Sequence, residues 1–158
     1  MPEPAEYVCP YTHDGSLEDS AIIYRLVPAY SDYVKWIEDE CQISSNVFSE
    51  LGLTKTEERG YPEPATSLMF HAEMRDRSIE EAADLSLDPD CGIVKLTVGD
   101  VRQVAPEVGL IFDGRHEPWH GILFAVTRRR LSGGQKKALR RKIVEIVREP
   151  SRAIAESR

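Results

Sequence analysis

Apolar residues occur in short runs along the chain, and their spacing predicts most of its strands. Residues 21–27 (AIIYRLV) and 92–98 (GIVKLTV) are rich in β-branched residues, and the second alternates with polar positions, so both are predicted to be strands. The runs GLIFDG (109–114) and GILFAVTR (121–128) flank RHEPW, which predicts a hairpin with a loop of about five residues. Residues 66–73 (TSLMFHAE) are apolar but too short to assign to a helix or a strand.

Two segments carry the start signals of short helices. Ser31 can cap a helix over residues 32–40, DYVKWIEDE. Ser78 and Glu81 have the spacing of a capping box, which predicts a second helix directly after Ser78. Between these helices, residues 51–65 contain glycines, prolines and charges, and they predict a surface loop.

The last periodic segment predicts an amphipathic helix over residues 133–148, which Pro150 would end. Its apolar residues recur at helical spacing and would form one stripe: Leu139, Ile143, Ile146 and Val147. Lys137, Arg141 and Arg148 would line the opposite side. The sequence therefore predicts a helix with one apolar and one basic face.

The order of these elements predicts the fold class. Strands and helices follow one another without the regular βαβ rhythm of a parallel sheet, so we predict one α+β domain with a mainly antiparallel sheet and a C-terminal amphipathic helix. A chain of 158 residues is suited to a single domain, which we place at residues 21–150. Residues 1–20 are Pro-rich and aperiodic and predict a flexible lead-in, and residues 151–158 predict a tail.

Composition indicates a globular protein rather than a membrane or disulfide-rich one. Hydrophobic residues make up 41% of the chain and charged residues 30%, and no apolar run approaches the roughly 18 residues of a membrane span. The acidic, Pro-rich start lacks the basic and apolar regions of a signal peptide, so we predict a cytoplasmic location. Three widely spaced cysteines argue against a disulfide framework and a standard zinc knuckle.

Charge is distributed unevenly along the chain. The net charge is −7, yet residues 128–158 contain 11 Lys and Arg against 3 Asp and Glu. Lys137, Arg141 and Arg148 therefore predict a surface for a partner, either a protein or a nucleic acid. Two alternatives remain open: the basic helix is a solvated face, or it lies against the acidic body of its own domain.

The motif HEPWHG raises the question of a metal site. His116 and His120 are four residues apart, and Pro118 argues against a helix, in which this spacing would suit a metal ion. In an extended segment the two would lie about 13 Å apart, too far for one ion. A curled loop would still need further ligands, for which Cys9 and His13 are a source, so we predict no metal.

His120 also permits catalytic interpretations. Together with His71, which lies in another apolar segment, it could provide an acid and a base for phosphodiester cleavage. The simpler alternative is structural: Trp119 packs under the turn while His120 bonds to a neighbouring backbone group.

Arg25 interrupts an apolar strand, where a guanidinium needs an acidic partner or a bound anion. The polar stretch at Ser44 and Ser45 could supply hydroxyls beside it. We therefore predict an anion-binding pocket formed by Arg25, Ser44, Ser45 and His120. The alternatives are a salt bridge for Arg25 and an ordinary turn at the serines.

Several short segments resemble a little-characterised bacterial family of small domains. Its members have an Arg in an opening strand, an ISS-x-x-F stretch, and a P-x-H turn before a last strand. The matching segments here are YRLVP (24–28), ISSNVF (43–48), TSLMF (66–70) and EPWHG (117–121).

The same layout resembles the R…S…E pattern of toxin-type ADP-ribosyltransferases. That resemblance implies that Arg25 and Ser67 hold NAD as cofactor. No E-x-E or Q-x-E pair occurs late in the chain, so Glu117 would be the acidic residue of the site.

These observations lead to two functional hypotheses. The first is a small cytoplasmic binding or accessory protein of bacterial type, acting through a protein partner or an anion bound at Arg25, Ser44, Ser45 and His120. The second is an effector enzyme acting on NAD or another nucleotide, with His120 or Glu117 as catalytic candidates and Ser67 as a ligand contact. A toxin–antitoxin or defence component would fit either hypothesis.

Overall fold

A computed structural model describes residues 8–9, 11–50, 65–105, 107–114 and 117–152. Within these residues the strands are β1 (Ile22–Val27), β2 (Val34–Ile37), β3 (Glu40–Ile43), β4 (Thr66–Phe70), β5 (Gly92–Thr97), β6 (Val108–Phe112), β7 (His120–Ala125) and β8 (Glu145–Arg148). The helices of the described residues are α1 (Ile79–Ser86), α2 (Val98–Arg102) and α3 (Gly133–Arg141), together with the 3₁₀ helices η1 (Ser45–Phe48) and η2 (His71–Met74).

Six of the strands form one antiparallel sheet in the order β6-β7-β4-β1-β5-β8, and β2 and β3 form a separate hairpin. The predicted α+β class with a mainly antiparallel sheet is confirmed. The predicted hairpin also forms, because β6 pairs with β7 and Phe112 lies opposite Gly121. Of the loops and tail predicted at 51–65 and 151–158, residues 51–64 and 153–158 lie outside the described residues.

Both faces of the sheet are covered, and β1 shows how the sequence achieves this. Ile23 and Val27 lie in the larger core cluster, together with Leu139 of α3, whereas Tyr24 and Leu26 lie in a second cluster with residues of α1. Successive side chains of a strand point to opposite faces. We call these two sides of the sheet the α3 face and the α1 face.

Residues 32–40 do not form the helix predicted from Ser31. They build most of the β2–β3 hairpin, whose turn includes Glu38 with a left-handed φ of 57°. Aromatic and β-branched residues in β2 fit a pleated strand better than a helix. The buried Val34 beside the exposed Lys35 has the period of a strand that is covered on one face.

Helix α3 ends at Arg141, so its predicted extension toward Pro150 is wrong. The segment 143–147 is dominated by Ile and Val, whose branched side chains favour strands. The last three residues of this segment belong to β8, which forms one edge of the sheet beside β5. Lys95 and Glu145 lie opposite each other on these strands and form a salt bridge of 3.5 Å.

The segment 11–20, predicted as part of a flexible lead-in, bonds to the outer strand β6 through His13 and Asp14. The backbone N–H of Asp14 donates to the carbonyl of Leu110 at 2.9 Å, and the N–H of Leu110 donates to Nδ1 of His13 at 2.9 Å. Arg102 joins the same segment to α2 through a 2.6 Å ion pair with Asp19. The bonds to Leu110 cover part of the outer edge of the sheet, which β6 forms.

Candidate functional site: a basic groove beside helix α3

A groove of about 400 Å³ opens between α3, the β2–β3 hairpin and η1. The buried side chains of Val34 and Ile43 take part in its lining. Four cationic residues and two serines also line it, and we call this site the basic groove: Lys35, Lys137, Arg140, Arg141, Ser44 and Ser45.

Helix α3 positions three of the four cations. Lys137, Arg140 and Arg141 follow the i, i+3, i+4 spacing that places side chains on one side of a helix. The Nε–H of Arg140 donates to the carbonyl of Ile43 at 2.6 Å, which ties the helix to the hairpin. A capping box at its N-terminus fixes where the helix begins.

Cationic residues outnumber acidic ones among the residues that line the groove. None of the ion pairs among the described residues involves Lys35, Lys137, Arg140 or Arg141. Among the residues that line the groove, Asp32 is the acidic one. Like charges three or four residues apart destabilise a helix, so a bound anion would relieve repulsion that the fold leaves in place.

The two serines enter the groove through the start of η1. Ser44 is its N-cap, and its Oγ accepts the backbone N–H of Asn46 at 3.1 Å. The side-chain amide of Asn46 donates to the carbonyl of Asp32 at 3.2 Å, which holds this segment against the loop before β2. Because the cap bond uses only the acceptor capacity of Ser44, its hydroxyl can still donate to an anion.

Arg25 lies on the α3 face, between Ile23 and Val27 along β1, but it is not part of the groove lining. Its Nε–H donates to the carbonyl of Val47 in η1 at 2.7 Å. The guanidinium therefore supports the segment that carries Ser44 and Ser45.

His120 lies on the α1 face, so the predicted pocket of Arg25, the two serines and His120 does not form as one site. It is opposite Met69, and Met69 belongs to the second core cluster. Its side chain is buried, with Nδ1 3.0 Å from the backbone carbonyl of Asp113 and Nε2 3.3 Å from Oγ of Ser67. The structural alternative, with His120 bonded to a backbone group, describes the Nδ1 contact.

Arg25 and Ser67 are on neighbouring strands but face opposite sides of the sheet. Tyr24 pairs with Met69, which puts Arg25 level with Leu68 rather than with Ser67. Glu117 contributes its backbone carbonyl, which accepts the N–H of His120 at 3.0 Å. The described residues therefore do not bring the R…S…E set into one pocket.

Arg148 is separate from the predicted basic helix face because it lies in β8. Its Nη2 forms an ion pair of 2.9 Å with Asp84 of α1, and its Nε–H donates to the carbonyl of Cys91 at 3.0 Å. Of the three residues predicted to contact a partner, Lys137 and Arg141 line the groove, and Arg148 holds α1 against the sheet.

His71 has a structural contact on the α1 face. His71 Nδ1 is 2.9 Å from the hydroxyl of Tyr24, and burial of that phenol raises the pKa of Tyr24. His116 lies outside the described residues. Among the residues that are described, no group of three His, Cys, Asp or Glu side chains could hold a metal ion.

Sequence reasoning missed Lys35, Gln42 and Arg140 as groove residues. Lys35 and Gln42 are cross-strand partners in the hairpin, and Lys35 was predicted to lie in a helix over residues 32–40. Their alternation with Val34 and Ile43 was the available signal. Arg140 is next to Arg141 in sequence, but its role depends on the distant Ile43 carbonyl.

Comparisons with models of protein families, with curated proteins and with solved structures found no significant match to this chain. The likeness to ADP-ribosyltransferases therefore stays a prediction. No helix in the described part of the chain has the length and apolar character needed to cross a membrane.

Proposed function

We propose that this chain is a binding protein that holds a phosphate-bearing small molecule in the basic groove. One observation carries the proposal: in a chain of net charge −7, four cations converge on one groove without an ion-paired carboxylate among the described residues. Side chains of like charge repel one another when they converge. A bound ligand of opposite charge would offset this repulsion.

The shape and composition of the groove support a small ligand. Its volume of about 400 Å³ lies within the range of small-molecule sites. One guanidinium group can donate two parallel hydrogen bonds to a phosphate, and each serine hydroxyl can donate one more. The buried Val34 and Ile43 offer apolar contact for the remainder of the ligand.

We place this binding role in the bacterial cytoplasm, as an accessory protein. The three cysteines are free thiols, a state that reducing compartments maintain. An acidic protein partner or a nucleic acid would use the same cations, and titration with a short RNA tests the nucleic acid.

The proposal predicts that Lys137→Ala with Arg141→Ala weakens binding of inorganic pyrophosphate at least tenfold, because two of the four groove cations are removed. Titration calorimetry at low salt measures this change. The matched control is Arg128→Ala with Arg130→Ala, which removes the same charge from exposed residues outside the groove lining and should change the affinity less than twofold.

The same titration separates the alternatives. Affinity that falls with rising salt supports an electrostatic site. Equal losses in the groove variant and its control would refute the proposal. Binding of a short RNA but not of pyrophosphate would indicate a nucleic-acid partner, and binding of NAD that depends on Ser67 would favour the transferase hypothesis.

A further inference from the structure

Three polar residues form a chain of contacts on the α1 face, remote from the basic groove. Oγ of Ser67 in β4 is 3.3 Å from Nε2 of His120 in β7. On the other side of the ring, Nδ1 of His120 is 3.0 Å from the backbone carbonyl of Asp113 and 3.8 Å from its carboxylate oxygen Oδ2. A hydroxyl, an imidazole and an acidic residue therefore follow one another in space.

The contacts determine the tautomer of the neutral imidazole. The carbonyl of Asp113 can only accept a hydrogen bond, so Nδ1 of His120 must carry the proton. Nε2 is then an acceptor, and the hydroxyl of Ser67 must be the donor. This is the direction of hydrogen bonding that a general base needs toward a nucleophilic serine.

Asp113 can interact favourably with the charged form of the His120 ring as well as with its neutral form. Its side chain is 8% exposed and that of His120 is 5% exposed. In such surroundings the attraction between a carboxylate and an imidazolium is stronger than in water. When His120 takes up a proton at Nε2, the nearby carboxylate stabilises the resulting cation.

We propose that Ser67, His120 and Asp113 form a hydrolytic centre that cleaves small carboxylic esters. Oγ of Ser67 forms a bond to the ester carbonyl carbon while its proton moves to Nε2 of His120. The carbon–oxygen bond to the leaving group breaks, and the leaving alkoxide takes the proton from Nε2. A water molecule, deprotonated by the same nitrogen, then releases the acyl group as an acid and restores the Ser67 hydroxyl.

The surroundings of Ser67 indicate what kind of ester would fit. Ser67 is half-buried rather than sealed. Ile122 lies directly opposite on β7, and Met69 follows on the same side of β4. Both side chains are buried and apolar, so a short aliphatic acyl group suits the site better than a charged one.

Labelling of the full chain with a fluorophosphonate tests the proposal, because this reagent modifies activated serines and not ordinary ones. We expect peptide mass spectrometry to find the modification on Ser67 and turnover of p-nitrophenyl butyrate by the same protein. Ser67→Ala should abolish both, whereas Ser20→Ala, at an exposed serine, should leave both unchanged. Absence of label from Ser67 in the folded protein would overturn the proposal.

A second variant keeps the proposal testable if Ser67→Ala fails to fold. Ser67→Cys places a thiol next to Nε2, and iodoacetamide should alkylate it at least tenfold faster at pH 7 than a thiol introduced by Ser20→Cys. Peptide-resolved masses separate these sites from the native cysteines. A rate at or below that of the Ser20 site would refute activation by His120. Pyrophosphate binding is measured separately, so failure of this centre and failure of the basic groove are distinguishable.

Discussion

Arg25 shows at the scale of a single residue how a charged side chain is accommodated in an apolar strand. The sequence indicated that its guanidinium needs a partner and suggested an acidic group or an anion. The structure provides the carbonyl of Val47, which belongs to a fully buried residue. A backbone oxygen carries no signature in the sequence, so this contact could not be predicted.

Arg25→Leu should lower the free energy of unfolding by about 1–3 kcal/mol, because it removes a charged donor from a carbonyl in the core. Urea denaturation measures the change. Arg128→Leu, at an exposed position, should stay within about 0.5 kcal/mol of the wild type. Full stability of the Arg25 variant together with lost pyrophosphate binding would instead show that Arg25 contacts the ligand.

At the scale of elements, prediction succeeded where one pattern dominated. β1, β5 and the β6–β7 pair have strong strand patterns, and α1 has its cap at Ser78, whose Oγ accepts the N–H of Glu81 at 3.1 Å. It failed at residues 32–40 and 143–147, where charged residues between apolar ones also fit a helical period. Strand pairing decided both segments, because β2 pairs with β3 and β8 pairs with β5, which is distant in sequence.

Helix α3 offers an element-scale prediction because its start depends on one hydroxyl. Oγ of Ser132 accepts the N–H of Gln135 at 3.1 Å, and the Gln135 side chain accepts the N–H of Ser132 at 2.8 Å. Ser132→Ala should lower stability by about 1 kcal/mol, measured by urea denaturation. Ser132→Asp, which can still cap the helix, should retain most of it; an equal loss would show that the cap is unimportant.

At the scale of the whole molecule, the candidate site was predicted only in part. Ser44, Ser45, Lys137 and Arg141 were identified as candidates for two different sites, and the fold brings them to one groove. The pocket that was expected to include His120 is divided by the sheet. Composition and spacing indicate which residues are chemically suitable, but the side of a sheet on which each one lies depends on strand order and register.

Acid should weaken the attachment of the N-terminal segment to the rest of the molecule. Burial, together with the charge of Arg102, lowers the pKa of His13 below its usual 6.5. The folded chain therefore favours the neutral ring, and this contribution to stability is present above pH 6.5 and is lost as pH falls through the lowered pKa.

His13→Gln, which retains an acceptor but does not titrate, should lose less stability than the wild type between pH 7.5 and pH 5. Urea denaturation at the two values measures the difference. Asp14, whose pKa is lowered from 3.8 by the hydrogen bonds from Ser16, titrates below this window. An identical pH dependence of both proteins would show that the His13 ring does not contribute.

The position of β1 at the centre of the sheet has a consequence for biosynthesis. Its two neighbours are β4 and β5, so β1 has no complete pairing until residues 66–97 have followed it out of the ribosome. The flanks of the nascent sheet then stay open until β7 and β8 emerge. Translation proceeds at roughly 5–20 residues per second, so the strand Ile22–Val27 spends several seconds as an apolar segment that a chaperone can capture.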